Sequence, residues 1–204
     1  NHASGFASVI AGGHTNSALN NEAFVGAGTS NVSSGFRSAI VGGIGNSASA
    51  QHTIIGGGSS NRTTDDHGFV GGGQNNQAGD NAGPTNDRTH AAVVGGLNNT
   101  ASGVQSFVGG GQNNIANTNN ASVGGGVNNT ASGHSAFVGG GGLSGIVSGN
   151  TASGSASAVV GGITNLASGI QSFVGGGQDN RATLNNATVG GGVGNRASNH
   201  GSFV

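Results

Sequence analysis

Seven histidines and six carboxylates are the groups in this 204-residue chain with the chemistry for metal ligation or acid–base work. His52, His67, His90, His134 and His200 all stand five or six positions after a recurring asparagine, in a place where other copies hold Gln105, Asn120 or Arg37. A metal centre needs several donors converging on one point. A place that accepts imidazole, amide and guanidinium alike reads instead as a solvated turn. Asp65, Asp66 and His67 form the one dense polar cluster and read as a loop. Asp65, Asp80 and Asp87 are the acids that could pair for glycoside cleavage, but no Trp or Tyr is present to stack a sugar. The string Gly175-Gly176-Gly177-Gln178-Asp179-Asn180 departs from the calcium-binding G-G-x-G-x-D pattern, with its aspartate out of place. There is no Cys nucleophile, and no helix start follows the glycine runs to receive a phosphate. The sequence therefore predicts no catalytic, cofactor-binding or metal-ligating residue, and a protein that is not an enzyme. Asn31, Asn61, Asn98, Asn120, Asn128 and Asn186 open N-x-S/T triplets, a weak glycosylation signal in a chain so rich in these residues.

A formal charge of −1 and a charged content of 5% leave no basic patch for nucleic acid and no acidic tail. No apolar run is long enough to insert in a bilayer. Glycine reaches 46 residues against a single proline, Pro84, which alone would suit a disordered chain. Strict periodicity argues for a fold.

What positions these groups is a repeat. Asparagines recur every fifteen residues from Asn1 to Asn76, from Asn99 to Asn129 and from Asn150 to Asn195, with the two longer gaps holding insertions near 80–88 and 142–148. Written from its Asn, the unit reads N-x-A-S-G-x-x-S-F-V-G-G-G-x-x. Nine places after the Asn the residue is always Val or Ile, and two places after it Ala appears in eleven of thirteen units, Ser33 and Thr63 excepted, so these two columns are the expected core. Fifteen residues rich in Gly and β-branched types do not make a helical pair. They fit two short strands and two tight turns whose Gly and Asn adopt positive φ. Stacked coils place like residues one strand spacing apart, and the Asn amides can then ladder from coil to coil. The expectation is one all-β domain over 1–204, a parallel β-solenoid of thirteen fifteen-residue coils with two looped insertions, forming part of a longer chain.

One Val or Ile and an occasional Phe per coil supply about 1.5–3 kcal/mol each, against about 1–2 kcal/mol for ordering each backbone residue. Part of the triple-glycine face is therefore expected to lie against a neighbouring chain, with Cβ excluded by close approach.

The string Ala23-Phe24-Val25-Gly26 and the recurrent S-F-V-G-G-G-x-x-N-x-A-S-G-x-x-S resemble, over the whole chain, the head repeats of YadA-like trimeric autotransporter adhesins, which read S-V-A-I-G-x-x-A-x-A-x-G. The unit here differs in length and in its triple glycine. The resemblance implies a left-handed β-roll, a homotrimer around one axis, and display outside a Gram-negative cell through an outer-membrane anchor carried by another segment. It makes the chain an extracellular adhesin head or surface-fibre rod, attaching through a repetitive multivalent surface to a receptor the sequence does not name. A protomer of a secreted or cell-surface filament and a phage tail fibre remain the alternatives.

Overall fold

The computed structural model describes residues 1–143 and 149–204. The chain is an all-β solenoid of about thirteen parallel coils, each contributing two-residue strands to two sheets. Its contacts divide it into two compact units, Asn1–Gln105 and Ser106–Val204.

In the first unit, one sheet is built from the strands that hold the alanine column, beginning His2–Ala3 and Ser17–Ala18 and ending Gln77–Ala78 and Thr100–Ala101. The other holds the valine column, from Val9–Ile10 and Phe24–Val25 to Phe69–Val70 and Ala92–Val93. We call them the Ala sheet and the Val sheet. The second unit repeats the plan, with Ala-sheet strands from Ile115–Ala116 to Arg196–Ala197 and Val-sheet strands from Phe107–Val108 to Thr188–Val189. Alternation of side chains along a strand sends Val inward and its Phe neighbour outward. Val25, Ile40, Ile55, Val70 and Val93 are fully buried in the first unit, as are Val108, Val123, Val138, Val159, Val174 and Val189 in the second. Two-residue strands have no stability of their own; pairing on both sides in one register holds them.

Register passes both insertions without a slip. Phe69 pairs with Ala92 and Gln77 with Thr100 across the first. Thr130 pairs with Thr151 and Phe137 with Ala158 across the second. Of that second insertion, Gly142 and Leu143 are described and 144–148 lie outside the described residues.

Two features modify the two-strand expectation. A third ladder of single-residue parallel bridges runs through His14, Thr29, Ile44, Ser59, Gln74 and Leu97, and reappears as Gln112–Val127 and Ile163–Gln178–Val193 in the second unit. The left-handed turn positions are also not reserved for Gly and Asn. Six places after the Asn, Glu22, Arg37, His52 and Gln171 have φ of 57°, 54°, 55° and 55°, and just before the next Asn even the β-branched Thr15 and Thr164 do so, at 54° and 57°. Such a backbone costs about 1–3 kcal/mol for a non-glycine residue. The compensation is visible in the hydrogen bonds. Strand N–H groups donate to the following coil, as Phe24 N does to Ser38 O, whereas the left-handed residue donates to the preceding one, as His52 N does to Phe36 O at 2.9 Å and Gln171 N to Ser155 O at 2.8 Å. Each coil is thus tied in both directions.

The Asn column is an interior ladder. Nδ2 of Asn129 donates to Gly125 O at 2.8 Å in its own turn and to Gly141 O at 3.0 Å in the next coil, and Oδ1 accepts the backbone N–H of Asn150 at 2.9 Å. Asn16, Asn31, Asn46, Asn61, Asn76 and Asn180 are placed in the same way. A buried amide with both its donor and its acceptor side engaged is stabilising where an unpaired one would be costly.

The three glycine columns prove unequal. A Cβ on Gly28 or Gly126, twelve places after the Asn, would run into the carbonyl of Gly43 or Gly141 in the next coil. The glycines of the other turn, Gly133 and Gly169, are closed in the same way by Gly154 and Leu184. These columns answer to the chain's own stacking and not to a neighbour. Ten places after the Asn, Gly26 lies against Val41 O, yet Ala11, Val41, Val94 and Val160 occupy equivalent positions. Eleven places after it the space is open, with no atom within 4 Å of a Cβ on Gly12, Gly57, Gly72 or Gly161.

Candidate recognition edge and polar clusters

The left-handed turn six places after the Asn aims its side chain outward at one strand spacing from the next, the distance at which planar groups stack. In the first unit this produces a continuous edge. Arg37 Nε meets Glu22 Oε2 at 2.8 Å, and that hydrogen bond holds the Glu22 carboxyl below the usual carboxylate range. The Arg37 guanidinium lies 4.7 Å over the ring of Phe36, whose edge meets His52 at 5.7 Å and 75°. His52 stacks on His67 at 5.2 Å, and His67 on His90 at 4.6 Å with rings 2° from parallel. The last pair spans the first insertion. All seven histidines are exposed, in agreement with a solvated turn, but the stacking of three of them was not readable from spacing alone. In the second unit the equivalent place carries the uncharged Asn120, Ser135, Ala156, Gln171 and Asn186.

Asp65, Asp66 and His67 do lie in the turn between two strands, but Asp65 and Asp66 are buried in it. Asp66 Oδ1 accepts Gln51 N at 3.0 Å, and Asp65 Oδ2 accepts Asp80 N at 2.8 Å. Asn81 N donates to Thr64 Oγ1 at 3.1 Å, Asp66 N donates to Thr85 O at 2.6 Å, and His90 N donates to Asp66 O at 3.1 Å. The insertion therefore leaves the coil at Asp80 and is pinned back onto Thr64–Asp66. The carboxylates of Asp65, Asp80 and Asp87 offer oxygens within 4.8 Å of one another, so the structure does bring together the three acids singled out above. Burial pushes the Asp65 carboxyl up from 3.8 to about 6, and the neighbouring Asp80 and Asp87 add to the rise. Arg88 stands 3.4 Å from Asp80, and Asp87 Oδ1 is buried without a hydrogen-bond partner. Three oxygens so close are a donor set that a hard cation accepts. What the hydrogen bonds show is a latch that fixes the insertion.

A polar groove of about 640 Å³ in the second unit is lined by Thr130, Thr151, Thr164, Leu166, Asp179 and Arg181 among others, with Arg181 Nη2 at 3.3 Å from Asp179 Oδ1. Hydroxyls and one exposed ion pair give it hydrogen-bonding capacity, without an aromatic platform. Of the N-x-S/T asparagines, Asn31 and Asn61 are buried in the ladder with their amides engaged, which removes them as glycosylation acceptors; Asn98, Asn120 and Asn186 are exposed.

The outward faces of the two sheets differ. Beside the alanine column stand His2, Ser17, Arg62, Thr130, Leu166, Arg181 and Arg196, a mixture typical of a solvated surface. Beside the valine column, the residues eight and ten places after the Asn include no charged side chain at all. Phe24, Phe69, Phe107, Phe137 and Phe173 are 37–43% exposed there.

No family model matches this chain, and no curated protein is detectably similar to it.

Proposed function

We propose that this chain is an extracellular attachment module, the head of a trimeric adhesin or the rod of a surface fibre, held at the cell surface through a segment beyond this one. One observation carries the reading: a nearly constant scaffold of Val or Ile, Ala, Asn and Gly holds an outward turn column whose residue changes from coil to coil. That division suits a protein that displays side chains, because each displayed group is oriented by a fixed left-handed backbone while its chemistry varies. Repeated weak contacts from one rigid scaffold add by effective concentration, so no deep pocket is required. Three chains around one axis would multiply the edge again, as in the adhesin heads that the sequence resembles.

A filament protomer is the second reading, favoured by the uncharged outer face of the Val sheet, which suits contact with other chains better than contact with water. Both readings leave catalysis out.

The test is adhesion of beads coated with the whole chain to surfaces bearing matrix proteins or glycans. A variant with Phe36, Arg37, His52, His67 and His90 all changed to Ser is compared at equal coating density. Loss of about tenfold or more in retained beads supports attachment through this edge. Absence of retention at any density, or equal retention by the variant, overturns it.

A further inference from the structure

We infer that His67 and His90 form a two-imidazole clamp for a divalent transition-metal ion of the Zn2+, Ni2+ or Cu2+ class, with water completing the coordination. The inference goes beyond the attachment reading and does not depend on it.

The turn column six places after the Asn varies along the chain, and neighbouring coils carry the same residue type there only at His52, His67 and His90. The last of the three keeps its place across an insertion. Asp66 N donates to Thr85 O at 2.6 Å and His90 N to Asp66 O at 3.1 Å, so the folded-back loop returns the chain with His90 beside His67. All three histidines share the left-handed backbone, with φ of 55°, 61° and 63°. Their N–H groups reach back to the preceding coil in the same way, His52 to Phe36 O and His67 to Gln51 O, both at 2.9 Å. One backbone geometry repeated at strand spacing gives the rings one direction, and His67 and His90 lie 4.6 Å apart and 2° from parallel.

Stacking by itself would accept any planar side chain, and it leaves the ring nitrogens unused. Among the described residues, no protein group hydrogen-bonds to a ring nitrogen of His52, His67 or His90, whereas Nδ1 of His134 meets Ser135 Oγ at 3.0 Å. The three rings are exposed, so these nitrogens face solvent.

Neutral imidazole ligates Zn2+, Ni2+ and Cu2+, and a nitrogen-to-metal bond of about 2.0–2.1 Å sets the two nitrogens of a tetrahedral pair about 3.4 Å apart. From rings 4.6 Å apart, each nitrogen must move by half the difference, about 0.6 Å. A small tilt of an exposed ring supplies that movement, and the broad two-fold χ2 of histidine lets both rings turn the same nitrogen outward. The fold holds the second imidazole beside the first, so it acts at a high effective concentration. His52, at 5.2 Å and 15° from His67, is the poorer partner. A pair of nitrogen donors also selects against Ca2+ and Mg2+, which take oxygen ligands.

The experiment is isothermal titration calorimetry of the whole chain with ZnCl2, and with CaCl2 for comparison, with circular dichroism to confirm each fold. His67→Asn and His90→Asn are the test variants. Asparagine suits this backbone, since Asn120 and Asn186 stand in the same column with φ of 58°. The control changes the four histidines outside the column, His2, His14, His134 and His200, to Asn. The expected result is that wild type and control take up about one Zn2+ per chain with half-saturation below about 1 mM, that Ca2+ gives no such binding, and that each folded test variant binds Zn2+ about tenfold or more weakly. A wild type that does not bind Zn2+ in that range, a folded His90→Asn that binds as well as wild type, or a folded control that loses binding overturns the clamp. Bead retention measured with a chelator present reports on attachment separately, so the failure of one reading is not the failure of the other.

Discussion

Oδ1 of Asn165 accepts the backbone N–H of Asn180 at 2.9 Å, while its Nδ2 donates to Gly161 O and Gly177 O, each at 2.9 Å. One side chain thereby serves its own turn and the coil above. Asn165→Ala leaves the buried N–H of Asn180 unpaired and is expected to cost about 2–3 kcal/mol. Asn165→Asp keeps that acceptor but aims a carboxylate at two carbonyl oxygens, and is expected to cost more at pH 7 than the alanine variant. Hydrogen exchange at the Asn180 amide, faster in both variants and fastest in Asn165→Asp, is the measurement.

Thr63 stands in the alanine column, and its buried Oγ1 has no hydrogen-bond partner. Ser33, the other exception, differs because its hydroxyl meets Ser38 Oγ at 2.6 Å. Replacing the orphaned hydroxyl by a methyl removes a desolvation cost without opening a cavity. Thr63→Val is therefore expected to raise stability by about 1 kcal/mol, and Ser33→Val to lower it. Urea midpoints of the two variants decide the matter.

Asp65 titrates higher in the folded chain, about 6, than its ordinary 3.8. The fold thus holds this proton more tightly than the unfolded chain does, so the contribution is fully present below pH 3.8 and is lost as pH rises through about 6. Asp65→Asn mimics the protonated form. The variant and wild type should melt together near pH 4 and separate near pH 7.5, with the variant the more stable; a gap that is constant with pH would show that Asp65 does not titrate in this window.

Gly125, in the coil that Asn114 opens, and Gly133, in the coil that Asn129 opens, stand in the two kinds of turn and differ in what surrounds them. A Cβ on Gly133 collides with the backbone of Gly154, whereas one on Gly125 meets only Gly110 O at 3.8 Å. Gly133→Ala is expected to cost about 1–3 kcal/mol through overpacking, and Gly125→Ala less than about 0.5 kcal/mol. Thermal melts at a concentration low enough to keep chains apart would show the difference.

The Val column, the insertions and the unbroken register across them were legible because each is a regularity, or one interruption of it, along a single dimension. The third ladder was not, since His14, Thr29, Ile44, Ser59 and Gln74 share a position and no chemical type. Residue type was misleading at the left-handed turns. His52 and Glu22 adopt them because the N–H must reach the coil below, a demand that periodicity does not display. Asp65, Asp80 and Asp87 were singled out by type, but their convergence was not legible for the opposite reason: Asp80 and Asp87 lie in an insertion that occurs once, so no second copy shows where it folds. The glycines misled in part, because the carbonyl of Gly154 that excludes a side chain from Gly133 comes from another coil.

The uniform register has a hereditary consequence. Thr130 pairs with Thr151 and Leu166 with Arg181 in the same geometry whatever lies between, so the stack does not record which coil is which. An in-frame gain or loss of one whole coil leaves every remaining pair, and the Asn ladder with it, intact, while a change of one or two residues throws an entire face out of phase. Unequal recombination between near-identical coils can thus lengthen or shorten the protein without unfolding it. The match of Ala92–Val138 to Ala158–Val204, offset by four coils and an insertion, is the pattern that duplication of a block of coils would leave. Length becomes a trait that varies in steps, separable from the chemistry carried on the turns.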